Sequence, residues 1–122
     1  MDNETVVKKF NLEDRTLDFS KAVRVFVKNL PRTISNIEDS KQLVRSSGSV
    51  GSNYIEANEA LSKKDFLYRI KICRKEAKET RYWLNLLDLG STSGLLQKRD
   101  ELVQEAQELL NIFGAVIRKT EV

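Results

Sequence analysis

Apolar positions recur at helical spacing along most of this chain. Phe19, Val23, Phe26 and Leu30 stand 4, 3 and 4 residues apart, one face of a helix over about 12–30. Asn11 can cap its start, Glu13 and Asp14 suit the first turn, and Pro31 blocks continuation. "SNIE", Ser35 to Glu38, has capping-box spacing and predicts a second helix over 35–60. Its face runs through Ile37, Val44, Ser47, Gly51, Tyr54, Ile55 and Asn58. "SKKD", Ser62 to Asp65, opens a third helix over 63–89. Its row Phe66, Ile70, Cys73, Ala77, Thr80, Leu84, Leu87 alternates by 4 and 3 residues for three heptads. Gly90 is expected to end it as a left-handed cap, with Ser91 or Ser93 capping a fourth helix over 94–119. Leu95, Leu102, Ala106, Leu109, Phe113 and Val116 stripe that last segment.

Four such helices with short connections predict an all-α fold, an antiparallel up-down-up-down four-helix bundle forming one domain over 1–122. The run Ser46 to Gly51 holds five Ser and Gly in six positions, yet it lies inside the second helix's periodicity. A phosphate-binding loop needs a lysine after its last glycine and a preceding strand, and this run has neither. Ser47, Gly48 and Gly51 therefore read as a surface of small residues that admits a neighbouring helix. Each glycine costs about 1 kcal/mol against alanine in a helix interior, which close packing must offset. On the third helix, Tyr68, Ile72, Trp83 and Leu86 lie off the main apolar row. They are candidates for an oligomer interface, or for partial burial under helix ends.

Composition narrows the chemistry. The 122 residues are 40% hydrophobic and 32% charged, a balance suited to a folded, well-solvated chain. No apolar run approaches the ~20 residues of a membrane span, and "MDNETVVKKF" carries no signal-like apolar stretch. With a single Cys73 and no internal disulfide possible, a cytoplasmic location is expected. There is no histidine, which removes the commonest general base and metal ligand; neither a cofactor nor a metal is expected. Cys73 falls on the core row, where a thiol behaves as a small hydrophobe.

Charge is unevenly placed. The net charge is +3, but residues 62–88 hold eight cations against four carboxylates, a local +4. The cations are Lys63, Lys64, Arg69, Lys71, Arg74, Lys75, Lys78 and Arg81, candidates to meet nucleic-acid phosphates; a solvated helix face is the alternative. Glu56, Glu59, Glu76 and Glu79 could in principle do acid–base work. A structural polar network of Arg45, Asn53, Glu56 and Glu79, which would set helix register, is the favoured reading.

"LVRSSGSVGSNYIEANEA" followed by "FLYRIKICRKEAKETRYWL" resembles the four-helix-bundle family first known from intervening sequences in bacterial 23S ribosomal RNA genes, which includes S23-like proteins. The family pattern R-S-x-x-S-(I/V)-x-x-N-x-x-E falls on Arg45, Ser46, Ser49, Val50, Asn53 and Glu56, and a later Glu and Leu match Glu79 and Leu84. The likeness spans roughly Leu12 to Val116. It implies an antiparallel bundle, often assembled as a homopentameric barrel with a central channel, and nucleic-acid association through basic surface. Relatives in diversity-generating retroelements further imply binding to a reverse transcriptase and its RNA. The expectation is a non-enzymatic, self-associating module that meets RNA or a nucleoprotein, with no membrane partner. The alternative is a protein-interaction scaffold or accessory subunit.

Overall fold

A computed structural model describes residues 11–122, and the reading of "MDNETVVKKF" lies outside them. Four helices follow one another: α1 Leu12–Val27, α2 Ile34–Asn58, α3 Lys63–Leu86 and α4 Leu95–Glu121. No strand occurs among the described residues.

Local chemistry explains most of the boundaries. Asn11 Oδ1 accepts the Asp14 amide at 3.2 Å, as its position in the sequence predicts. α1 stops three residues short of the expected Leu30. The amides of Asn29 and Leu30 bond three residues back, a tightened last turn that suits the residue ahead of Pro31 and leaves Leu30 buried. The cap of α2 is Thr33 rather than Ser35: Thr33 Oγ1 accepts the Asn36 amide at 3.1 Å. Glu38 does not close a capping box and instead pairs with Lys41 at 3.1 Å. Ser62 caps α3 by accepting the Asp65 amide at 3.0 Å.

The end of α3 and the start of α4 differ from expectation. α3 closes at Leu86, because Leu87 turns extended and drops into the core. Gly90, at φ 62°, belongs to the connecting loop, with its amide on Asp88 Oδ1 at 2.9 Å. The residue at the cap of α4 is Gly94, φ 85°, which offers no side-chain hydrogen bond; neither Ser91 nor Ser93 serves.

The core is built on Ile70, Cys73, Ala77, Thr80 and Leu84 of α3, all fully buried, as the heptad row predicts. Against them pack Phe19, Val23 and Phe26 of α1, Leu43 and Val50 of α2, and Leu102, Leu109 and Phe113 of α4. Burying each large apolar side chain contributes about 1.5–3 kcal/mol before entropy is charged. The inner face of α2 is rotated from the predicted one. Leu43, Ser46, Ser47, Val50 and Ala57 point inward, whereas Ile37 and Ile55 are exposed. Small residues make that possible. A Cβ on Gly51 would stand 2.9 Å from Thr16 Oγ1 and 3.2 Å from Thr16 Cβ, so α1 crosses directly over the glycine. Gly48 is different: a Cβ there would meet Ser20 and Arg24 side chains only at 3.7–3.8 Å, ordinary contact, so no close approach requires it.

α3 packs extensively on both α2 and α4, α1 packs mainly on α2, and α1 touches α4 least. An open cleft of about 920 Å³ remains between α1 and α4. Phe19, Ala22, Val25, Leu95 and Leu102 line it, and Asp18, Glu101 and Glu105 lie among its polar residues. Arg15 crosses it, bonding Glu105 (2.7 and 2.8 Å) and Glu108 (2.7 Å). Hydrogen bonding to Glu105 above all holds the guanidinium even more firmly charged than usual.

Candidate nucleic-acid interface

The geometry of α3 follows from its double contact. With α2 on one flank and α4 on the other, only the side opposite the core row faces solvent, and the eight cations divide accordingly. Lys64, Lys71, Lys75 and Lys78 are separated by 7, 4 and 3 residues and share the outward face. All four are exposed. Lys64, Lys75 and Lys78 have no carboxylate partner among the described residues, and Lys71 meets Glu121 at 3.1 Å. Both partners of that last pair are about half exposed, so it contributes little and yields easily to another anion.

The three arginines turn toward the flanks. Arg69 donates to Asn53 Oδ1 at 3.1 Å on the α2 side. Arg81 hydrogen-bonds Gln107 on α4, and the Arg74 guanidinium lies over Gly114, 3.6 Å from where a Cβ would stand. Lys63 is exposed in the first turn. Arg69 and Arg81 are thus engaged within the fold, while the lysines hold the outward charge.

The polar network is smaller than the sequence suggests, and it is split in two. Arg45 reaches Glu79 at 3.3 Å and Glu76 at 3.5 Å. Asn53 sits farther along, bonded to Arg69 and, within α2, to Ser49 at 2.9–3.0 Å. Glu56 joins neither half: it is exposed, with no side-chain partner among the described residues. Glu76 is the buried carboxylate, 6% exposed, and its Oε1 has no hydrogen bond; the 3.5 Å approach of Arg45 is an ion-pair contact only. Sequence inspection missed Glu76 as a partner, although its spacing of three from Glu79 placed it on the same flank.

The off-row apolar residues do not form one exposed strip. Tyr68 (62%) and Leu86 (49%) face solvent, whereas Ile72 is half-buried and Trp83 packs on the core. Cys73 has no solvent exposure, and burial pushes its thiol up to about 12. No cluster of His, Cys, Asp and Glu suited to a metal ion occurs among the described residues. No helix among them is long and apolar enough to cross a membrane.

Comparisons with known proteins fit this architecture. A crystal structure of a protein of unknown function from the S23 ribosomal protein family of Bacteroides thetaiotaomicron VPI-5482 superimposes with a TM-score of 0.73 at 29% identity. The match covers 87% of this chain and 97% of that one. A comparison with curated proteins finds no match. Residues 8–115 match the family described as 23S rRNA-intervening sequence protein, and the chain belongs to that family.

Proposed function

We propose that the protein is a non-enzymatic, self-associating helical module that binds nucleic acid through the outward face of α3. The observation that carries this reading is the lysine face itself: four exposed ammonium groups on one side of a helix, three without an acidic partner among the described residues. Phosphate is the chemistry such a face recognises. Support for the non-enzymatic part comes from the absence of histidine and from the burial of the lone thiol.

An up-down-up-down path is supported by the order of contacts between α2 and α3. Asn36 meets Asp88, Arg45 meets Glu79, and Asn53 meets Arg69, so partner numbers fall as α2 advances. Self-association, with a pentamer as the expected form, is supported by the α1–α4 cleft, whose lining includes the exposed Ala22 and Val25. That cleft also favours the second reading, a scaffold that docks another protein.

The test is binding of labelled RNA at low salt, followed across increasing salt. Engagement of all four lysines by a single strand predicts a log–log slope near −3, at about 0.7 per phosphate. Lack of retention at low salt overturns the nucleic-acid reading. Sedimentation at micromolar concentration tests assembly: a species at the 14.0 kDa monomer mass overturns it.

A further inference from the structure

Two tyrosines share the outward face of α3 with the lysines. Lys64, Tyr68, Lys71, Lys75, Lys78 and Tyr82 follow one another by 4, 3, 4, 3 and 4 residues, a strict heptad row on the side opposite the core row. Tyr68 is 62% and Tyr82 59% exposed. Resting on the proposed nucleic-acid reading, we infer that this face takes a single-stranded segment of RNA. The lysines hold its phosphates, and Tyr68 and Tyr82 stack on unpaired bases.

Three observations carry the inference. The first is the interleaving. A lysine row alone suits any polyanion, but exposed rings on the same row gain nothing from a duplex, whose bases are already stacked inside. A single strand can splay its bases onto aromatic faces while its backbone follows the cations.

The second is the orientation of the rings. Tyr82 stands edge-on to Trp83, with centroids 5.1 Å apart and planes at 77°. The Arg69 guanidinium lies 5.7 Å from the Tyr68 centroid. Arg69 is itself bonded to Asn53, and Trp83 is packed on the core, so each ring rests on a side chain the fold already holds. Such support lowers the ordering cost that a free surface tyrosine would incur on binding.

The third is a shallow hollow at the start of the row, lined by Lys63, Lys64, Leu67, Tyr68 and Lys71. An apolar floor beside an aromatic ring, rimmed by three ammonium groups, fits a base with its phosphates at the edge. From Tyr68 to Tyr82 the helix rises about 21 Å at 1.5 Å per residue, with Lys71, Lys75 and Lys78 between. A strand of a few nucleotides covers that length. The acidic neighbours are accounted for: Glu121 pairs with Lys71, Glu79 turns to Arg45, and Asp65 remains in the first turn.

The experiment measures anisotropy of labelled oligo(A) and oligo(U) RNA, and of the duplex they form, on the full chain at low salt. Single strands should bind about tenfold more tightly than the duplex, with oligo(A) ahead of oligo(U) because purines stack over more area. Tyr68→Ala and Tyr82→Ala should each weaken single-strand binding about tenfold, within the range of base–aromatic stacking. The corresponding Phe variants should bind like the unaltered protein. Lys78→Gln should weaken strand and duplex alike and flatten the salt slope by about 0.7. Duplex binding equal to single-strand binding, or Ala variants within twofold of the unaltered protein, would overturn the inference while leaving the phosphate-binding reading intact. Displacement of RNA by poly-glutamate as readily as by oligo(A) would also overturn it. Retention of neither RNA form sinks both.

Discussion

Asn36 and Asp88 exchange two hydrogen bonds across 52 positions of the chain. The Asn36 amide donates to the Asp88 carbonyl at 2.7 Å, and the Asp88 N–H donates back to Asn36 Oδ1 at 3.0 Å. The same amide nitrogen also reaches the Pro31 carbonyl at 2.9 Å. One side chain, 2% exposed, therefore ties the turn before α2 to the exit from α3. Asn36→Ala would leave the Asp88 carbonyl and N–H without partners and the Pro31 carbonyl with the Thr33 amide alone, at a cost of about 2–4 kcal/mol. Asn36→Asp should be no better, because a carboxylate accepts the Asp88 amide but faces both carbonyls without a proton to give. Urea unfolding of both variants checks this; a loss below about 1 kcal/mol would contradict the clamp.

The two glycines of α2 should respond to alanine with opposite signs. At Gly51 the added methyl strikes Thr16, whose hydroxyl is held by the Leu12 carbonyl at 2.7 Å and cannot easily swing away. Overpacking of about 1–3 kcal/mol then outweighs the roughly 1 kcal/mol gained in helix propensity. At Gly48 the methyl finds ordinary contact, and the propensity gain stands, so Gly48→Ala should stabilise by about 0.5–1 kcal/mol. Matched denaturation midpoints decide; the same sign at both sites would refute the close-approach argument.

Cys73 predicts a loss of stability at alkaline pH. Burial raises the folded thiol to about 12, above the ordinary thiol range, so the native state keeps a proton that the unfolded chain releases. Its contribution is full below the unfolded value, falls as pH rises past it, and is gone beyond about 12. Within that window the slope is about 1.4 kcal/mol per pH unit. Comparing the unaltered protein with Cys73→Ala at increasing alkaline pH isolates the effect as a difference in slope. The thiol should also resist alkylation until the protein unfolds.

Glu76 is predicted to be an electrostatic burden. Its carboxylate is buried, but Arg45 is half exposed and 3.5 Å away, too far to restore the hydration that burial removes. Glu76→Gln should be neutral or stabilising by up to about 2 kcal/mol, whereas Glu79→Gln, on a half-exposed pair, should change stability by less than about 1 kcal/mol. A double-mutant cycle with Arg45→Ala measures both couplings. Strong destabilisation by Glu76→Gln would show that the pair fixes the α2–α3 register instead.

How much of this was readable in the chain depends on the helix. The core row of α3 was plain because its hydropathy contrast is sharp, with charged residues between inward positions. α2 was harder. Its Gly and Ser residues carry almost no hydropathy signal, so the prominent Ile37 and Ile55 drew the face toward themselves. What turns Leu43, Ser46 and Val50 inward is α3, against which Ser46 and Thr80 share a 2.9 Å hydrogen bond between hydroxyls. The candidate interface was readable as a surplus of cations but not as a face. Separating Lys64, Lys71, Lys75 and Lys78 from Arg69 and Arg81 requires knowing what lies on either flank of α3.

The sequence by itself determined four helices, the caps at Asn11 and Ser62, the core row of α3 and the family. Each of these rests on rules that act within a turn or two of helix, or on a contiguous motif. Tertiary structure decided that Gly51 and not Gly48 admits α1, that Asn36 spans to Asp88, that Glu76 is buried, and which cations face outward. Those outcomes depend on which helices meet and at what rotation. The packing of all four sets that rotation at once, and no local spacing encodes it.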